Sequence, residues 1–263
     1  MKMINIYLNL FFLILFVSCF NKKKQLHNQI NIDSTRIETV CDNIQECKIP
    51  QNVLHLLIHD SVDFNFFVKH SKQFLKCKTL FIDSLPLNGI NNFFKITSQF
   101  DSLEEIELQN ISDKSISYNI GKLTKLKSLI VTSTTGFILS DSIGLCSSLR
   151  TIVLDKCTYI PSSIKNLKKL ETISLLDCNL KEIPNFLFCL SDLKNVVLCN
   201  NMIEDVPSRI LNFHKLKCLD LANTPIGESE LNYYNNNNGI YNKLEFIREA
   251  LPECEIILRS RME

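Results

Sequence analysis

Aliphatic residues return along this chain at a fixed interval. Leu170, Ile173, Leu175 and Leu180 lead into Ile183-Pro184, and Leu193, Val196, Leu198 and Ile203 lead into Val206-Pro207. The two phrases coincide at an offset of 23 residues. The same phrase starts at Val53, Cys77, Leu103, Leu126, Leu149, Leu170, Leu193 and Leu216, at spacings of 21 to 26 residues. With each start as position one, positions four and six are Leu56/Ile58, Leu80/Ile82, Ile106/Leu108, Leu129/Val131, Ile152/Leu154, Ile173/Leu175, Val196/Leu198 and Leu219/Leu221. All are aliphatic. Alternation of this kind predicts a short strand with one face inward in every repeat.

The second half of each phrase has another period. Ile120/Leu123/Leu126, Ile143/Cys146/Leu149, Ile164/Leu167/Leu170, Leu187/Leu190/Leu193 and Ile210/Phe213/Leu216 step by three. That spacing predicts a helical or 3₁₀ turn laying one row against the core. Pro161, Pro184 and Pro207 stand just before it, where a fixed φ and a missing N–H cost nothing. A period in the twenties, one strand and one turn per unit, is the signature of a solenoid.

The phrase resembles the leucine-rich repeat, L-x-x-L-x-L-x-x-N/C-x-L, in its variant LPxxIxxLxxL, over roughly residues 50 to 225. The resemblance implies an α/β leucine-rich repeat solenoid of about eight repeats. A curved parallel sheet would line the concave face, and short helices or 3₁₀ turns the convex one. Position nine would carry Asn or Cys bonding adjacent turns. Asn201, Cys178 and Cys157 fit, and Thr134, Ser61 and Thr224 are weaker polar substitutes. Leu85 and Ile111 do not fit, so the first repeats are expected to be less regular.

The N-terminus reads as an export signal: Lys2, an apolar run from Leu8 to Val17, then polar Asn21-Lys22-Lys23-Lys24. Leu15-Phe16-Val17-Ser18-Cys19 resembles a bacterial lipobox, departing from it at Phe16. It implies a signal peptide over 1–18, removal at Cys19, and lipid such as palmitate on that cysteine. A secretory signal without lipidation and a single uncleaved anchor are the other readings. Residues 19–36 are then a flexible tether, 37–52 an N-terminal cap, 53–238 the repeats and 239–263 a C-terminal cap. The last contains a helix and strand in Leu244 to Ile257, because an array's final repeat otherwise leaves its core open.

The chain has 263 residues, with 29 basic against 28 acidic side chains, so total charge points to no nucleic-acid partner. Of its 11 cysteines, Cys41 and Cys47 are close enough in sequence for a disulfide in the cap. Cys157 and Cys178 fall in adjacent repeats, as free thiols or as a bridge, and Cys146 fills a Leu slot. Cys199 is expected to point out of the concave face, with His214 on the other side, which disfavours a Cys–His pair. His55 and His59 lie about 13 Å apart along a strand, too far to share a metal; His59 and Asp83 share a column. Gly-rich phosphate loops and the HExxH, GxSxG and CxxC motifs do not occur.

No catalytic residue, metal site or cofactor is expected. The candidate site is the concave face, formed by positions three, five, seven and eight. Position five reads Leu57, Phe81, Glu107, Ile130, Val153, Ser174, Val197, Asp220, unusually apolar for a solvated strand face. Polar columns flank it, with Asp155 and Leu176 at position seven. Phe81, Glu107, Ile130, Val153, Asp155, Leu176 and Val197 are the expected contacts for a protein partner. An envelope glycan is the alternative ligand, for which Phe81 is the one aromatic on offer.

Overall fold

The computed structural model describes residues 39–41, 43–46, 53–83, 89–229 and 244–258. Residues 1–38, with the expected signal peptide, Cys19 and tether, lie outside these, as does Cys47 of the expected cap disulfide.

Among the described residues ten strands form one sheet in strict chain order, and every neighbouring pair is parallel. They are β1 (Thr39–Cys41), β2 (Val53–Ile58), β3 (Thr79–Ile82), β4 (Glu105–Ile111) and β5 (Ser128–Ile138). Then follow β6 (Thr151–Tyr159), β7 (Thr172–Leu176), β8 (Asn195–Val197), β9 (Cys218–Asp220) and β10 (Glu255–Ile257). β2 to β9 are the strands of the eight repeats. The aliphatic pairs at positions four and six are buried in all eight, which is why the alternation is strict.

The step-by-three rows become 3₁₀ turns at Tyr118–Lys122, Asp141–Leu145, Ser162–Asn166, Asn185–Cys189 and Ser208–Asn212. Each is closed by an N–H three residues on, such as Cys146 to Ile143 O and Leu167 to Ile164 O. The i→i+3 bond brings the side chains three apart onto one side, so Ile143, Cys146 and Leu149 all enter the core. Pro161, Pro184 and Pro207 are the residues that open three of these turns.

Chain order is maintained by a ladder at position two. The carbonyls of Lys78, Glu104, Lys127, Arg150, Glu171 and Lys194 each accept two N–H groups from the next repeat, at 2.7–3.1 Å. Backbone donors at the mouths of β4 to β9 are thereby satisfied, as burial requires.

The first two repeats are built differently. Their convex elements are true helices, α1 (Ser61–His70) and α2 (Gly89–Thr97). Asp60 caps α1, accepting from the N–H groups of Val62 and Asp63, while Ser61, expected as the polar substitute, is its exposed first residue. Phenylalanine fills the wider space beneath: Phe67 lies 6.0–6.5 Å, centroid to centroid, from Phe64, Phe74, Phe93 and Phe100. At the other end α3 (Glu245–Ala250) buries Ile247 and leads into β10, which pairs with β9.

Candidate functional site: the concave strand face

Register aligns the position-five side chains into one row. Leu57 pairs with Phe81, Phe81 with Glu107, Glu107 with Ile130, Ile130 with Val153, Val153 with Ser174, Ser174 with Val197 and Val197 with Asp220. Leu57, Phe81, Glu107, Ile130 and Val153 are half-buried, so each offers part of its surface. The row changes character after Val153. Ser174 and Val197 are 1% and 0% exposed, so Val197, expected as a contact, has no surface to offer. The accessible apolar stripe is therefore Leu57, Phe81, Ile130 and Val153, with Glu107 in its middle and Gln109 Nε2 donating to Glu107 Oε1 at 2.6 Å.

Asp155 and Leu176 are register partners at position seven and both are half-buried. Burial pushes the Asp155 carboxyl above its ordinary range, Lys156 pulls it back, and Asp177 adds to the rise. Cys199 follows in the same column. Burial and the nearby Asp220 carboxylate push its thiol up to about 12.

Position eight is not a face position. Asn110, Lys156, Asp177, Asn200 and Asn223 all adopt φ between 49° and 61°, the left-handed region where Asn and Asp are least strained. Asn110 and Lys156 lie within β4 and β6, at the register irregularities, whereas Asp177, Asn200 and Asn223 lie beyond the ends of β7, β8 and β9. Asn223 Nδ2 donates to Asn200 Oδ1 at 2.8 Å, and Asn110 Nδ2 to Asp83 Oδ1 at 3.2 Å. The recurring Asn and Asp at this offset were the signal in the sequence.

One step on, Asn201 is 4% exposed. Its Oδ1 accepts from the N–H groups of Cys178 and Leu180, both at 3.0 Å, and its Nδ2 donates to Leu175 O and Leu198 O at 2.7 and 2.8 Å. Thr224 plays a smaller part, donating to Leu221 O and accepting from Gly227 N–H. In the fourth repeat the work falls mainly to Ser133, not Thr134. Ser133 is buried, donates to Ile111 O and accepts from Thr135 and Gly136 N–H, while the exposed Thr134 donates to the same carbonyl. The shift of one residue accompanies the register irregularities that carry β5 and β6 on to Ile138 and Tyr159.

No protein-family model matches the chain, and no curated protein matches it. Solved structures do. Internalin C2 from Listeria monocytogenes superposes with a TM-score of 0.50 at 18% identity, over 59% of this chain and 65% of that one. The leucine-rich repeat ectodomain of the Arabidopsis receptor kinase HAESA, in complex with an N-terminally extended IDA peptide hormone ligand, also gives 0.50 at 18% identity, over 66% of this chain and 30% of that one. The fold is a leucine-rich repeat solenoid. The chain spans less than two-thirds of the length of either structure.

In a leucine-rich repeat solenoid the thiols sort by position. Cys77, Cys146, Cys157 and Cys178 are buried free thiols, each pushed up to about 12, by burial first. Cys157 and Cys178 donate to the carbonyls of Tyr159 and Leu176 instead of bridging. Cys189 is the exposed thiol among the described residues, on a 3₁₀ turn and not on the concave face. His55 and His59 are half-buried at β2, and no group of three or more metal-ligating side chains occurs among the described residues.

Proposed function

We propose that this protein is a non-enzymatic interaction module that holds a protein or peptide partner against its concave strands. The accessible stripe of Leu57, Phe81, Ile130 and Val153 carries this reading. It is an aligned apolar row with Glu107 at its middle and Asp155 at its rim, the composition of a protein contact patch. Leu176 extends it at position seven. The structurally similar HAESA ectodomain holds a peptide ligand, which agrees with a peptide or protein occupant here. Thiols held at about 12 make poor nucleophiles, which favours binding over catalysis.

The module works from the cell envelope, exported by residues 1–18 and anchored by lipid on Cys19, with Cys41 and Cys47 bridged in the cap. A multiply acylated cysteine gives stable membrane attachment. Proximity labelling in intact cells identifies the partner. Ile130→Glu and Val153→Lys then abolish capture of that partner while the circular dichroism spectrum stays unchanged. Capture that survives both substitutions removes the stripe as the site. Cys19→Ser ends acyl labelling; labelling that survives the substitution removes the lipid anchor on Cys19.

A further inference from the structure

The nearly balanced total charge conceals a segregation. The strand mouths form a basic edge. At position two stand Lys78, Lys127, Arg150, Lys194 and Lys217, against only Glu104 and Glu171. Those two acids are engaged: Glu104 with Lys127 at 2.8 Å, and Glu171 with both Arg150 and Lys194 at 2.6 Å. Within the 3₁₀ turns Lys122 and Lys165, and between turns and strands Lys125 and Lys169, are exposed and make no ion pair among the described residues; Asp101 and Asp192 share that stretch, Asp192 being held by Lys215. The strand exits carry the opposite sign. Asp60, Asp83, Asp177, Glu182, Glu204 and Asp205 lie there, with Lys114, Lys156 and Lys181 as the opposing cations. A net charge of +1 thus hides a molecule polarised across its width.

We propose that the basic edge docks on an anionic lipid surface, so that the solenoid stands edge-on with its concave face open to the side. The proposal rests on the reading that the chain is held at a membrane. Repeats stack at about 4.8 Å, so the cationic row runs for about 30 Å in a line, and neighbouring charges lie within about one Debye length of each other. Such a row is exposed over most of its length and is interrupted at Glu171 and at the third repeat, where Asp101, Glu104 and Glu105 stand. It fits a plane of mobile headgroups better than a single phosphate or an enclosed polymer. The sequence places Lys22-Lys23-Lys24 a few residues after Cys19, so the segment bound for the membrane has the same sign as this edge.

The test uses the full chain carrying Cys19→Ser, which removes the lipid. Its partition is measured on phosphatidylcholine vesicles and on vesicles in which about a third of the lipid is phosphatidylglycerol. Binding to the neutral vesicles reports the N-terminal apolar segment; the gain on anionic vesicles reports charge. The triple variant Lys122→Glu, Lys125→Glu, Lys165→Glu is expected to lower that gain by about tenfold or more. The control Lys114→Glu, Lys156→Glu, Lys181→Glu changes net charge equally at the other edge and is expected to leave the gain unchanged. Equal loss in both variants assigns the effect to total charge and overturns the proposal. So does the absence of any gain, or binding to soluble heparin with none to anionic vesicles. Failure of the anchor shows separately, as the absence of acyl label on the unsubstituted chain taken from cells.

Discussion

Asn201 Nδ2 donates to Leu175 O at 2.7 Å, tying one repeat to the previous one through a buried amide. The same side chain satisfies two N–H groups and a second carbonyl. Replacing it with leucine keeps the branched shape and leaves four backbone groups, three of them in fully buried bonds, without their partner. At about 1–3 kcal/mol for each buried group left unmade, partly relieved by water, Asn201→Leu is expected to cost about 3 kcal/mol or more. The urea midpoint measures this. Thr224→Val, with fewer bonds at stake, is expected to cost less.

Two glycines mark where successive 3₁₀ turns touch. A Cβ on Gly144 would stand 2.6 Å from Ser163 O, and one on Gly121 would stand 2.7 Å from Ser142 O. Both obstacles are backbone and have no rotamer to change. Gly121→Ala and Gly144→Ala are each expected to destabilise by about 1–3 kcal/mol despite alanine's better helical propensity. Thermal melts of the single variants check the direction. A stabilised Gly144→Ala would mean that the turns do not pack this closely.

Alkylation should separate the thiols. A thiol held at about 12 exposes almost no thiolate at mildly alkaline pH, so Cys77, Cys146, Cys157 and Cys178 stay unmodified in the folded chain. Exposed Cys189 reacts first. Mass mapping after timed iodoacetamide treatment, native and in denaturant, reads the order. Rapid native labelling of Cys157 or Cys178 would contradict their place in the core.

Asp155 and Glu171 should respond to pH with opposite sign. Burial raises the Asp155 pKa on folding, so the native state binds more protons than the unfolded chain in that window, and stability falls as pH rises through it. Asp155→Asn is expected to raise the neutral-pH melting temperature, with the gain vanishing below the ordinary aspartate range. The Glu171 pKa is lowered, first by its bond to Lys194 and also by Arg150. Its contribution is present above the unfolded value and fades as pH falls through the folded one. The pair is exposed enough for salt to screen it, so Glu171→Gln is expected to cost at most about 1 kcal/mol, less at high ionic strength.

The strands and turns were legible because one physical demand, burial on one side, recurs at the same offsets in all eight repeats. Leu56/Ile58 and Leu219/Leu221 stand at opposite ends of the array and obey the same rule. What was not legible came from the places where repeats differ. Helices α1 and α2 replace 3₁₀ turns where phenylalanines need more room, and no fixed period announces that. Ser133 displaces Thr134 because β5 slips register, a property of two strands together. Val197 follows the column yet is buried, since exposure depends on more than position within a repeat. The left-handed position eight was in plain view as Asn110, Asn200 and Asn223, but a strand reading assigns it to the face. The polarised edges escape any sum over the whole chain.

Each of the ten strands bonds only to those before and after it in the chain. Among the described residues no strand pairing joins β1 to β10, and load along the sheet passes only between neighbours. A pull applied at Thr39 falls first on the three-residue β1 and its pairing with β2, then passes inward one rung at a time. Such a chain yields to tension as a zip and not as a lock, and the phenylalanine-filled first repeats are the teeth that meet the force first.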